Sequence, residues 1–390
     1  MINKDDATSH RIQKSEKIIS ILPPNHQRRL EKYKTYLAKF KKCLDVNNSV
    51  VHLIIKDVDT MFENVDHTVT NTSGMNGTEK NFEISAVVFE LNCFRQTFFY
   101  MFQVQSVLKN IVRDWSDMGA SEREQCYKPV ILIQIYVCLC SDRTVIRVLV
   151  PGAGLGRLAW EIAARGYTCQ GNEFSLFMLF ASNFILNRCN EINKYTVYPW
   201  VHQYVNNITC EHQLLTASFP DVCPAGNKAN PNFSMTAGDF LKVYTEQDEW
   251  TCVVTCFFID CAPNVIEFIE RIYSILQPGG HWINLGPLLY HYSDMPTDNS
   301  IEPPFDILLE IIRDIGFDIL KEKTGVKTKY AQNPNSMMQH EYDSVFFVCR
   351  KPYYMGPARF VSYLRLEQIN ERDITKGRNI QLRNLGSWLP

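Results

Sequence analysis

The run Val148-Leu-Val-Pro-Gly-Ala-Gly-Leu-Gly-Arg157 sets three alternate glycines between an apolar stretch and a helical pattern. It predicts a strand, a tight turn and a helix. Glycine lets such a turn enter positive φ and approach a ligand closely, while the first N–H groups of the helix lack intrahelical partners and favour a polar or anionic group. The unit continues in Gly166-Tyr-Thr-Cys-Gln-Gly-Asn-Glu173, which reads as a second strand ending in a carboxylate. An acid at that distance is suited to accept hydrogen bonds from ribose hydroxyls.

Two cofactor classes use this geometry. A dinucleotide site favours GxGxxG, whereas Gly152, Gly154 and Gly156 fall as GxGxG. Further along, Ser234-Met-Thr-Ala-Gly-Asp-Phe240 is a small-residue turn whose acid and aromatic suit an adenine, to hydrogen-bond and to cover. Cys252-Val-Val-Thr-Cys-Phe-Phe-Ile-Asp260 is an apolar run ending in a carboxylate, and Ile275-Leu-Gln-Pro-Gly-Gly-His-Trp-Ile-Asn-Leu285 reads as helix end, turn and strand. In this order the four elements resemble the S-adenosylmethionine-dependent methyltransferases of the Rossmann-like class.

Longer strings narrow the resemblance. Residues 151–161 (PGAGLGRLAWE), 170–173 (QGNE), 232–240 (NFSMTAGDF), 256–260 (CFFID) and 282–291 (WINLGPLLYH), with IVRDWS at 111–116, are similar to the carnosine N-methyltransferase family over roughly 110–352. The resemblance implies a mainly parallel seven-stranded α/β sheet, S-adenosyl-L-methionine as methyl donor, and transfer to the imidazole of a histidine-containing dipeptide, carnosine to anserine. It also implies a homodimer.

Composition bounds the remaining classes. A 390-residue chain with 45% hydrophobic residues can bury a large core. A net charge of −2 without a basic stripe argues against a nucleic-acid surface. The thirteen cysteines are odd in number and scattered through apolar runs, and the first residues lack an apolar signal core, so a reducing cytoplasmic setting, and a nuclear one as well, is expected. Cys138/Cys140 and Cys252/Cys256/Cys261 lack CxxC spacing and paired histidines, so no metal is expected and they read as buried thiols. Apolar stretches such as 130–140 fall short of the roughly 20 residues of a membrane span.

Three regions are expected: a mainly helical N-terminal region (1–145) that contributes to the cofactor site, the methyltransferase domain (146–352), and a polar tail (353–390) with no assigned role. Within the first, helical spacing runs from about 27 to 63, then a polar loop over 64–81, and helices over 107–115 and about 121–138. The last two strands are expected at 317–321 and 344–350, as an antiparallel edge pair by resemblance.

Methyl transfer to nitrogen is an in-line displacement, so alignment and a free lone pair matter most. An imidazole, with a pKa of about 6.5, is mostly neutral at cellular pH, and a group that binds one ring nitrogen leaves the other free to attack. Asp260 follows a strand where α/β sheets place ligands; its alternative is to cap the helix near Asn264. His291 stands just past the next strand. By resemblance, Asp260, His291 and Tyr342 carry catalysis and Phe257 and Tyr330 join them in binding substrate, although Phe257 is equally suited to core packing. On the cofactor side the resemblance assigns Gly152 to the methionine portion, Glu173 to the ribose, Asp239 and Phe240 to the adenine, Cys256 to a strand-end contact, and Arg113 to the methionine carboxylate. A surface ion pair with Asp114 or Asp117 is the alternative for Arg113. The resemblance also makes Asn110 a cofactor contact, of shorter reach than the glutamine the family has there, and Gln339-His340-Glu341 replaces a tyrosine-rich stretch before Tyr342. Segments 83–100, 130–146 and 353–390 also depart from the family. A histidine methyltransferase acting on larger peptides, a cofactor-binding relative without turnover, and an NAD-dependent oxidoreductase are the rival readings.

Overall fold

The computed structural model describes residues 7–56, 97–138, 142–225, 231–295 and 299–353. The expected loop over 64–81, most of the divergent segment 83–100 and all but the first residue of the 353–390 tail lie outside them.

Seven strands form one sheet in the order β5-β2-β1-β6-β7-β9-β8: β1 Arg147–Pro151, β2 Thr168–Glu173, β5 Phe233–Ala237, β6 Trp250–Cys256, β7 Leu276–Gly286, β8 Asp318–Thr328 and β9 Tyr342–Arg350. The pairings from β5 through β7 are all parallel, and β9 runs antiparallel to both β7 and β8. The mainly parallel sheet and its antiparallel edge pair are therefore as expected. A small antiparallel pair, β3 Tyr195–Val197 and β4 Ala217–Phe219, stands apart. Central strands covered on both faces need apolar residues in succession rather than alternation, and Val148, Leu149, Val150, Cys252, Val253 and Val254 are all buried.

The helix Ala120–Val137 lies on one face, where Cys126, Val130, Ile131 and Ile133 pack with Val148, Val254 and Ile283. This explains the apolar composition of the divergent 130–146 segment over residues 130–138: it is part of the core. Helices Val265–Ile275 and Phe305–Ile315 cover the other face through Ile269, Ile272, Leu308 and Ile312. The helix Thr97–Trp115 packs Leu108, Ile111 and Trp115 against Phe184 and Ile185 of the helix Leu176–Arg188. The helix Glu31–Ile55 begins and ends inside the expected 27–63 span.

One expectation is corrected. Pro278-Gly279-Gly280 does not separate helix from strand; it lies within β7, which starts directly after the helix ends at Ile275. The reason is pairing: Gly279 donates to the Lys351 carbonyl at 2.7 Å and the Gly280 carbonyl accepts from Lys351 at 2.9 Å, while the register against β6 shifts between Trp250 and Cys252. Gly279, at φ +82, allows that irregularity. No helix among the described residues is long and apolar enough to cross a membrane.

Candidate functional site

Because β1, β2, β5, β6 and β7 run parallel, their carboxyl ends share one edge. Gly152, Glu173, Asp239, Phe257, Asp260 and His291 all follow or end those strands, so the topology alone gathers them.

The glycine turn is shaped by close approach. Gly152, Gly154 and Gly156 have φ of +65°, +56° and +82°, and a Cβ on Gly152 would lie 2.4 Å from the Phe258 ring. At Gly154 the space is open. Glu173 is tied to this turn: one carboxylate oxygen accepts from the Gly154 N–H at 2.8 Å, the other from Phe174 and Ser175 at 2.9 and 2.7 Å. Burial raises its pKa, opposed by those three donors. A carboxylate has about four lone-pair sites, so room for a hydroxyl remains.

Asp239 is half-buried and caps a short helix, accepting from Leu241 N–H at 3.0 Å. The ring of Phe240 does not cover a ligand face as expected. It is 3% exposed and packs edge-on against Phe258 and Phe268, because this turn feeds directly into the core.

Arg113 is buried, which removes the surface ion-pair reading, although Asp114 is indeed its partner. Its Nη1 donates to Asp114 Oδ1 at 3.0 Å and to the Tyr127 hydroxyl, which in turn donates to Asp114 at 2.7 Å. The guanidinium stacks on Tyr127 at 4.8 Å and Tyr330 at 4.5 Å, and its Nε has no hydrogen-bond partner. Cys256, at the end of β6, lies within reach of this guanidinium, and burial raises its thiol pKa. Asn110 is engaged inside the protein at both ends, donating to the Ser106 carbonyl at 3.0 Å and accepting from the Tyr330 hydroxyl at 3.2 Å. It acts on the site through Tyr330.

Phe257 meets Tyr330 at 5.0 Å and the Tyr342 ring edge-on at 6.0 Å, with Arg113 at 5.8 Å. It holds φ +54, a conformation that a bulky side chain seldom adopts. Its N–H donates to the Leu285 carbonyl at 2.9 Å, and a Cβ on Gly286 would come within 3.1 Å of its backbone. Arg113, Phe257, Tyr330 and Tyr342 thus form one aromatic and cationic wall. A cavity of about 130 Å³, lined by Lys109, Arg113, Glu122 and Lys329 among others, adjoins it.

Asp260 is 2% exposed and does not cap the following helix; Asn264 does so, accepting from Ile266 N–H at 3.1 Å. One Asp260 carboxylate oxygen accepts from Leu289 N–H at 2.7 Å, and the other has no partner. Burial raises its pKa, with the Leu289 donor and nearby His291 opposing. The His291 N–H donates to the Asp260 carbonyl at 3.0 Å, and ligating atoms of the Asp260, Cys261 and His291 side chains lie within 4.8 Å of one another.

Sequence reasoning missed the frame behind Arg113. Asp221 divides its two oxygens between Arg157 at 2.6 Å and Arg123 at 2.7 Å; Arg157 also donates to the Asp114 carbonyl, and Arg123 to those of Arg113 and Ser116. The end of the Thr97–Trp115 helix is thereby fixed to the helix after the glycine turn. Asp221 lies in no recognisable motif, and only Arg157, beside the glycines, gave any signal.

Residues 91–353 match the carnosine N-methyltransferase family. The chain belongs to that family. The carnosine N-methyltransferase of Drosophila melanogaster is 47% identical over 359 residues, covering 88% of this chain and 76% of the relative. That of Mus musculus is 44% identical over 344 residues, covering 88% and 82%. Among solved structures, a SAM-dependent methyltransferase from Methanosarcina mazei aligns with a TM-score of 0.36 and 12% identity, covering 56% of this chain and 97% of its own. Within the carnosine N-methyltransferase family, the glycine turn, Arg113 and Asp260 of this chain all fall inside the matched span.

Proposed function

We propose that this chain transfers a methyl group from S-adenosylmethionine to the imidazole of a small histidine-containing dipeptide, with carnosine as substrate and anserine as product. The observation that carries the reading is Asp260: a buried carboxylate with one oxygen unpartnered, at the carboxyl edge of the sheet and beside His291. A buried acceptor without a partner is costly unless a ligand supplies one, and an imidazole N–H is such a partner.

The donor fits the residues present. The glycine turn offers open space at Gly154, Glu173 keeps an acceptor site for a ribose hydroxyl, and the Arg113 Nε–H, which makes no hydrogen bond and has the Glu122 carboxylate 3.9 Å away, remains to donate to a ligand carboxylate. Bound there, S-adenosylmethionine supplies an electrophilic methyl carbon on a sulfonium. Asp260 accepts from one imidazole nitrogen, selects the tautomer and leaves the other nitrogen's lone pair directed outward. It is also the adjacent acceptor for the proton that the methylated ring gives up. The Phe257, Tyr330 and Tyr342 rings present faces and edges for a flat heterocycle and exclude water from it. His291, exposed at the rim, is placed to hold a polar part of the dipeptide.

The test is incubation of the purified protein with labelled S-adenosylmethionine and carnosine, with the product resolved by mass spectrometry and NMR. Methylation of the imidazole nitrogen proximal to the side-chain attachment is expected. Methylation of a protein histidine with carnosine untouched would overturn the substrate, and cofactor binding without turnover on either would overturn the activity.

A further inference from the structure

Two loops meeting at the sheet edge bring together ligating side chains that stand in no contiguous CxxC motif. Among the described residues, Asp260, Cys261 and His291 form the one group of three or more ligating side chains whose donor atoms converge. From this convergence we infer that they form a site for a thiophilic divalent cation of the zinc type, and that occupying it inhibits the enzyme.

Carboxylate oxygen, sulfur and imidazole nitrogen together suit zinc and disfavour magnesium or calcium, which take oxygen ligands. Zinc bonds of about 2.0–2.3 Å place tetrahedral ligands roughly 3.5 Å apart, so atoms already within 4.8 Å need side-chain rotation on the order of 1 Å. The backbone is fixed for it. Asp260 and Cys261 are consecutive in one 3-10 turn, Ile259–Cys261, and the His291 N–H is bonded to the Asp260 carbonyl. A second observation points to a ligand independently: Asp260 is 2% exposed and has an oxygen without a partner. Cys261 is half-buried and holds only a long 3.9 Å contact to the Phe257 carbonyl. Binding takes the cation, the ionised Asp260, the neutral His291 and the Cys261 thiol to a three-ligand complex with one open position, releasing the thiol proton to solvent.

The inhibitory half rests on the proposed function; the binding half does not. With a cation in place Asp260 no longer accepts from substrate, and an imidazole that filled the open position would spend the lone pair it needs for attack.

Titration of the full chain with cobalt(II) as the spectroscopic probe should produce a thiolate-to-cobalt charge-transfer band that zinc abolishes by displacement. Cys261→Ser should lack the band. In assays with free zinc fixed by a metal buffer, because an imidazole dipeptide itself chelates, zinc should inhibit wild type reversibly, while Cys261→Ser keeps turnover in chelator and needs at least tenfold more zinc for the same inhibition. A band and zinc inhibition that persist unchanged in Cys261→Ser, or no band in an active wild-type enzyme, would overturn the site. A Cys261-dependent band in a protein without turnover on carnosine would uphold the site and sink the functional reading instead.

Discussion

The two halves of the candidate site are built on opposite terms. On the cofactor side the acids are answered by donors within the protein: Glu173 by three backbone N–H groups, Asp221 by two guanidiniums, Asp239 by the N–H it caps. On the substrate side Asp260 is buried with one oxygen unanswered, and Phe257 holds a positive φ beside it. Completed hydrogen bonds stabilise the fold before any ligand arrives, whereas an unmet acceptor and a strained backbone cost stability and are repaid only on binding. The first half should therefore behave under mutation as structure, and the second as chemistry.

The largest effect expected is at Asp221. Asp221→Ala leaves Arg123 and Arg157 without their buried partner and should cost about 3–5 kcal/mol in denaturant unfolding; a loss within experimental error would break the contrast on the structural side. Asp260→Asn should show the reverse pattern, lowering kcat about 100-fold through lost alignment while cofactor affinity and folding hold. Its stability should also depend on pH in a set direction. Burial raises the Asp260 pKa above the unfolded value, so the ionised form is the costly one. The wild type keeps the full contribution of this group below an unfolded pKa of about 3.9 and loses it as pH rises through the folded value. Asp260→Asn should match wild type in acid and gain on it as pH rises; a variant less stable than wild type at neutral pH would place Asp260 with the structural half.

Glu173→Gln tests the boundary between the halves. It should weaken S-adenosylmethionine binding by about 1.5–3 kcal/mol in calorimetry, and unchanged affinity in a folded variant would confine Glu173 to bracing the glycine turn. The smallest effect is expected for Arg113→Lys, which keeps the charge but loses the planar fork and the stacking on Tyr127 and Tyr330. Cofactor affinity should fall by about tenfold, and equal binding by Arg113→Ala would leave the arginine a purely internal brace.

The same contrast governs what could be read from the sequence. The glycine turn, the strand-end acids and the parallel order were legible because each depends on local composition: glycines that must take positive φ, apolar runs that must be covered twice, carboxylates at strand ends. Asp260 and His291 were legible for that reason, through their place after β6 and β7. The burial of Phe240 was not, since an exposed aromatic and a core aromatic look alike in sequence. Nor was the frame around Arg113, because Tyr127 reaches it from a neighbouring helix and Asp221 holds Arg123 and Arg157 behind it from a connection far along the chain. The convergence of Cys261 with His291 depends on two loops meeting, which no spacing rule registers.

The Tyr330 hydroxyl and the Asn110 amide meet across 220 residues of chain. The wall they help to form draws on the helix that precedes the sheet and on the hairpin that closes it. A chain growing from its N-terminus therefore makes the cofactor turn early, yet leaves part of the apolar flank of the Ala120–Val137 helix, which packs with Val326, Phe346 and Val348, exposed until β8 and β9 have been synthesised. Such long-range closure slows folding and prolongs the interval in which unfinished chains can stick to one another. Competence for ligand and burial of that flank should arrive together, as one late event in the life of each molecule.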